Sequence, residues 1–340
     1  MIGKTHKVRD GSDEPKSVVM VTSRSFSTGD VNVRADLESV GADVVTAPSD
    51  HNLNSLRPVL AETVAWIAGT GPITAEHLAA APKLRVIARY GVGVDAVDLE
   101  AAARHQVMVT NTPGANTGAV ADHTLALMLA ALRDVTAGDR GVRSGNWQVN
   151  RTRELSSLTI GIVGLGRIGR GVASRLSGYG GVILGHDPWV SDAQARTAGI
   201  EPVGLDELAA RCDIVTLHAP GDQTLVNGPW LARARPGLIL VNTARANLVD
   251  EPALAQALRS GAVRKYAADS LSTESGHGAG SPLLAADLID KTIFTPHSAA
   301  QTVQAVDGMG VGAAAAVLAV LRGETPPNLV VITPSQGSEL

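Results

Sequence analysis

The sequence has a single cysteine, Cys212, in 340 residues, so no disulfide can close within the chain. No CxxC pair or Cys/His cluster is spelled out, and no metal site is expected. That usage suits a reducing, cytoplasmic setting. Aromatic residues are 3%, which leaves Ala, Val, Leu and Ile to build the core. No Lys/Arg run disturbs a balance of 29 basic and 33 acidic side chains, net charge −4, which argues against nucleic acid or an anionic membrane as the main partner. Residues 1–16 mix charges without the apolar stretch of a secretory signal and read as a disordered tail, and 331–340 read as a tail at the other end. The longest apolar run, 311–321, is broken by Gly312 and closed by Arg322. It falls short of the about 20 residues that span a bilayer and reads as a buried Ala-rich helix.

What is present is a folded chain: 44% hydrophobic and 18% charged, long enough for two domains. Apolar runs at 18–22, 43–47, 64–69, 84–89 and 107–110 alternate with helical patterns at 53–62, 74–81 and 99–105. The runs are continuous rather than alternating, which marks strands covered on both faces, hence a parallel sheet with crossover helices. A helix apolar nearly all round, 116–133, follows, and then a polar connector, 140–157. Such a helix belongs between layers or between subunits. The rhythm restarts with strands at 159–163, 182–185, 214–218, 238–242, 266–269 and 292–295 and helices at 168–176, 192–198, 205–211 and 251–259. A last helix runs over 303–321. The predicted class is α/β, with two doubly wound parallel sheets.

The second half opens on Gly164-Leu-Gly166-Arg167-Ile168-Gly169 between a strand and a helix. In this dinucleotide-binding pattern the first glycine makes the turn, the second admits a pyrophosphate, and the third packs helix on strand. Asp187, 18 residues past Gly169, sits where an acidic side chain reaches the adenosine ribose and repels a 2′-phosphate. The expected cofactor is NAD rather than NADP.

Hydride exchange with an alcohol also needs a proton acceptor and a cation for an anionic substrate. Arg245, Glu274 and His297 each follow a strand of the second half, at the carboxyl ends where parallel sheets bind ligands. His297 suits proton transfer near neutral pH, Glu274 could fix its tautomer, and the Arg245 fork suits a carboxylate.

These residues, with 89-RYGVGVD-95, 111-NTPGANT-117, GLGRIG, 217-LHAP-220, 242-NTAR-245 and 295-TPH-297, resemble the D-2-hydroxyacid dehydrogenase family, in its phosphoglycerate dehydrogenase-like branch. The resemblance covers nearly the whole chain after the tail. It implies Arg245, Glu274 and His297 as the catalytic set, spaced by 29 and 23 residues. It implies that Arg89, Gly91, Val92 and Gly93 meet the substrate together with Arg245. Val92, Arg167, Ile168, Ala219, Pro220, Thr243, Ala244 and Asp269 would approach the cofactor. The implied fold is two Rossmann/flavodoxin-like domains with a cleft between them. The substrate-binding domain would take 17–112 with 300–330, the NAD-binding domain 113–299, and helix 116–133 would pack in a homodimer.

Four positions depart from the family pattern: Ala246-Asn247 after the arginine, Ser275 after the glutamate, the Gly-rich loop 275–281 with His277, and Asp122 where Glu is commoner. His123, His186 and His218 read as structural or cofactor-edge residues. The few residues after the last helix leave no room for a regulatory domain, so feedback control by an amino acid is not expected. The expected activity is NAD-dependent interconversion of a small D-2-hydroxy acid and its 2-oxo acid. A phosphonate or phosphite substrate in the same site is one alternative, and a non-catalytic NAD-responsive binding protein is another.

Overall fold

The computed structural model describes residues 16–221, 223–273 and 280–330, which form two compact units. Glu274, Ser275 and His277 lie outside the described residues. The division falls before Val31, after Asn111 and at Gly310: Thr28–Asp30 and Thr112–Met309 make one unit, and the rest of the described chain the other.

The first unit contains β1 (Val18–Val21), α1 (Val33–Ser39), β2 (Asp43–Thr46), α2 (Leu53–Leu60), β3 (Thr63–Ala68), α3 (Ala75–Ala79), β4 (Val86–Arg89), α4 (Leu99–Arg104) and β5 (Met108–Thr110). All strand pairs are parallel, in the order β2-β1-β3-β4-β5, the flavodoxin-like arrangement. The α1 helix escapes the sequence pattern because it buries only Val33 and Leu37, but Asn32 caps it by accepting the Ala35 N–H at 3.2 Å. Just past the carboxyl end of β1, Thr22 Oγ1 gathers the Trp66 indole N–H at 2.9 Å and the His51 Nε2 at 2.7 Å, while His77 Nε2 meets the His51 carbonyl at 2.8 Å. Burial lowers the His51 pKa to about 4, so the imidazole is neutral at pH 7.

The second unit begins with α5 (Thr117–Leu132) and α6 (Val135–Arg143). It continues through β6 (Thr159–Val163), α7 (Arg167–Leu176), β7 (Val182–His186), α8 (Asp192–Thr197), β8 (Glu201–Pro202) and α9 (Leu205–Arg211). Then come β9 (Ile214–Leu217), α10 (Gly228–Ala232), β10 (Leu238–Asn242), α11 (Glu251–Ser260), β11 (Val263–Ala268) and β12 (Thr292–Phe294). The seven strands are parallel in the order β12-β11-β10-β9-β6-β7-β8. Alternate residues feed two cores: Leu238 and Leu240 join one, Ile239 and Val241 the other, with α5 and α7 covering the second. This is why these strands read as unbroken apolar runs.

Polar residues hid two elements. The connector expected from 140 starts as α6, whose two glycines lower its helix propensity but whose ends are tied by ion pairs. Asp134 meets Arg264 and Lys265 at 2.8 Å each, and Arg140 meets Asp290 at 2.6 Å. The same Arg264 and Lys265 interrupt the apolar pattern of β11, which therefore begins three residues before the predicted 266. The last helix, α12 (Val303–Leu321), takes in the 311–321 run and bears out its reading as a buried helix, although the whole helix, unlike that run, reaches the length that can span a bilayer. Its 19 residues, mean hydropathy 1.6, are long and apolar enough by length and composition alone, and more than half of its most apolar window is buried in the protein.

Candidate active site

The fingerprint turn forms as its glycines require. Gly164 has φ +91°, and a Cβ there would lie 2.6 Å from the carbonyl of His218. At Gly169 a Cβ would collide with the Gly164 carbonyl oxygen, whereas at Gly166 it would enter open space. The α7 helix starts at Arg167, with Ile168 half-buried behind it, so its first N–H groups face the opening beside Gly166. Asp187 ends the turn region by accepting the Leu165 N–H at 2.7 Å and the Trp189 N–H at 2.8 Å. No cation follows it at 188–190.

His218 borders the same turn. Its Nε2 pairs with Thr216 Oγ1 at 3.0 Å, while Nδ1 is buried without a partner among the described residues. Burial drives its pKa down to about 3, so the ring is neutral. Ala219 is half-buried and Pro220 exposed just beyond. An open glycine turn, free helix N–H groups and an orphaned buried nitrogen are what a bound dinucleotide would meet, and the residues fit NAD.

Past β10, the buried Asn242 folds the chain. Its Oδ1 accepts the Ala244 N–H at 3.0 Å and its Nδ2 donates to the Arg245 carbonyl at 2.8 Å. Thr243, Ala244 and Arg245 therefore occupy one short turn at the strand's carboxyl end. Asn247, a departure from the family pattern, donates its amide to the Gly221 carbonyl and so ties this turn to the loop after Pro220. Sequence reasoning passed over Asn242 because it ends an apolar strand.

Past β11 stands Asp269, 3% exposed. It accepts the Thr295 hydroxyl at 2.5 Å, the Ser298 N–H at 2.9 Å and the Ala299 N–H at 2.8 Å. Burial alone would raise its pKa. The hydrogen bonds from His123, Thr295, Ala299 and Ser298 outweigh it and hold the carboxyl below the usual range. Asp269, expected at the cofactor, thus also locks the segment after β12. That segment carries His297 at φ +51°, an uncommon conformation that the bonds on either side help to maintain. Since β10, β11 and β12 are neighbours, the carboxyl ends carrying Arg245, Asp269 and His297 lie side by side.

In the first unit, Arg89 is buried. Its Nε donates to the Gly93 carbonyl at 3.0 Å and its Nη1 to the Ala68 carbonyl at 2.8 Å. These bonds shape the 91–93 loop, where Gly91 has φ +139° and the Val92 side chain is exposed. Asn111 holds the Val92 carbonyl at 2.8 Å.

Residues 125–299 match the model of the D-isomer specific 2-hydroxyacid dehydrogenase NAD-binding domain. The D-3-phosphoglycerate dehydrogenase of Mycobacterium tuberculosis H37Rv is 42% identical over 263 residues, 76% of this chain and 49% of that protein. The glyoxylate reductase of Korarchaeum cryptofilum is 38% identical over 270 residues, 77% of this chain and 80% of the relative. The structure of the NAD-dependent formate dehydrogenase from Staphylococcus aureus in complex with NAD superposes with a TM-score of 0.81 at 26% identity, covering 93% of this chain and 99% of that one. The chain belongs to the D-isomer specific 2-hydroxyacid dehydrogenase family, and its cofactor is NAD. It spans about half the length of the phosphoglycerate dehydrogenases it matches.

Proposed function

We propose that the protein is an NAD-dependent oxidoreductase that interconverts a small D-2-hydroxy acid and its 2-oxo acid. The observation that carries this reading is the adjacency of β10, β11 and β12, which sets the Arg245 turn, Asp269 and the His297 segment beside one another on the sheet that bears the dinucleotide turn. When bound, NAD supplies the hydride acceptor.

The backbone N–H groups at Gly166, Arg167 and Ile168 hold the pyrophosphate, and Asp187 holds the ribose hydroxyls. Ala219, Pro220, Thr243 and Ala244 line the path toward the reacting end. Arg245 pairs with the substrate carboxylate and polarises the reacting oxygen. His297 takes the hydroxyl proton during oxidation and returns it during reduction. Glu274, five residues past Asp269, orients that imidazole. The 91–93 loop offers main-chain N–H groups to the acid group. The functional assembly is a homodimer, though not through 116–133 as the resemblance implied, because that helix packs as α5 into the core of its own unit. The exposed surface is α6, which buries none of its residues within one chain, with Trp147 and Val149 exposed after it. Sedimentation equilibrium checks the dimer.

The test is NADH oxidation with 3-phosphohydroxypyruvate, glyoxylate, pyruvate and a phosphonate analogue. Turnover of one carboxylate, abolished in His297→Ala while NADH still binds, supports the reading. Tight NADH binding with no turnover of any acid overturns it in favour of a nucleotide sensor, and turnover of the phosphonate analogue alone replaces the carboxylate substrate by a phosphonate one.

A further inference from the structure

We propose that the adjacent pair His123–Thr124 on α5 is a positioning device, which holds the Arg245-bearing and His297-bearing segments in register with one another. The inference rests on the catalytic reading of Arg245 and His297.

The proton inventory fixes the direction of each bond. Thr295 has one hydroxyl proton, and it goes to Asp269 Oδ1, because an ionised carboxylate only accepts. The contact of 2.9 Å between Thr295 Oγ1 and His123 Nε2 therefore needs its proton from the imidazole. His123 carries hydrogen on Nε2, which also lies 3.5 Å from Asp269 Oδ1. The same argument applies one residue on. The Thr124 hydroxyl gives its proton to the Val120 carbonyl at 2.7 Å, so the 2.8 Å contact with Thr243 Oγ1 is donated by Thr243.

Two consecutive side chains of one helix thus reach two different strand ends. Thr295 is two residues before His297, and Thr243 two before Arg245. The strands concerned, β12 and β10, are separated by β11, roughly 10 Å at ordinary sheet spacing. Successive residues of an α-helix rise only about 1.5 Å but point about 100° apart, so such a pair diverges enough to meet both. The neighbouring buried positions of α5, Val120, Ala121, Leu127 and Met128, are apolar. Apolar side chains would serve packing equally well here, and a polar pair of which Thr124 is buried and His123 half-buried needs partners. The partners it finds are the two segments carrying the reacting groups.

Four variants separate the functions: His123→Phe and His123→Gln, Thr124→Val and Thr124→Ser. Gln can place an amide donor where Nε2 stood, and Ser keeps the hydroxyl, whereas Phe and Val keep shape without the bond. His123→Phe should lower kcat about tenfold with KM little changed, because it loosens the proton acceptor. Thr124→Val should raise KM for the 2-oxo acid several-fold, because it loosens the turn carrying Arg245. Gln and Ser should restore most of each loss.

Amide exchange reads the same bonds without turnover. Ser298 and Ala299 should exchange faster in His123→Phe, and Ala244 faster in Thr124→Val. Altered exchange in a chain whose wild type turns over no acid would sink the catalytic reading and leave the positioning intact. Phe and Val variants indistinguishable from wild type, or Gln and Ser variants equally impaired, would overturn the proposal. Should His123→Phe fail to fold, Gln against Asn decides, since the shorter amide cannot reach Thr295.

Discussion

Gly169 packs so closely on Gly164 that a Cβ at Gly169 would overlap the Gly164 carbonyl oxygen, yet two residues from Gly164 the side of Gly166 is open. The two sites should therefore separate stability from affinity. Gly169→Ala should destabilise the second unit by about 2 kcal/mol through overpacking. Gly166→Ala should leave the melting temperature nearly unchanged while weakening NADH binding about tenfold, because the methyl enters the space a pyrophosphate needs. Thermal melts and NADH titration of both variants check this; a stability loss in Gly166→Ala without an affinity loss would contradict it.

Nucleotide preference should lie with the charge of Asp187. In Asp187→Asn one oxygen still accepts from either the Leu165 or the Trp189 N–H while the other N–H loses its acceptor, and the negative charge that repels a 2′-phosphate is gone. Discrimination against NADPH should fall about tenfold, mainly through a weaker hold on NADH. Comparing the dissociation constants of both nucleotides decides the point.

Asp269→Asn should be more damaging than its buried position alone suggests. It replaces a charged acceptor of the Thr295, Ser298 and Ala299 donors by an amide that repels at least one of them. A stability loss of about 2 kcal/mol, faster exchange of the Ser298 and Ala299 amides and a large fall in kcat are expected. The carboxyl is held below its usual range, so its stabilising contribution is present throughout neutral pH and is lost only as pH falls through that lowered pKa.

His51 acts in the same sense, over a higher pH window. Its imidazole is neutral when folded, with a pKa of about 4 against 6.5 unfolded. The unfolded chain therefore binds the extra proton first, and stability should decline as pH drops from 6.5 to 4, by at most about 3 kcal/mol from this group. Its φ of +55° is one that Asn tolerates, and Asn can still donate to the Pro72 carbonyl. In His51→Asn the decline over that window should shrink, measured by urea unfolding at pH 7 and 4.5.

Much of the architecture was legible because both cores draw on alternate residues of the same strands, which leaves an unbroken Leu, Ile and Val run over the first four residues of β10. Elements stabilised by charge were not. The α6 helix and the first turn of β11 depend on Asp134 meeting Arg264 and Lys265, partners 130 residues away that no local pattern reveals. Arg245 and His297 could be found by their motifs, and Asn242 stands in one of them but reads as a strand end. The role of His123 and Thr124 could not, since each acts through a threonine hydroxyl more than a hundred residues away. One trace did exist: a His-Thr pair in the middle of a helix that is mostly Ala and Leu.

The order β12-β11-β10-β9-β6-β7-β8 places the nucleotide-reading strands β6 and β7 on one side of β9 and the strands carrying Arg245, Asp269 and His297 on the other. On the proposed function, the reading of the adenosine ribose and the reading of the acid fall to separate flanks of one scaffold. Mutational drift can retune either flank without first dismantling its counterpart, which makes the sheet a ready platform for diversification.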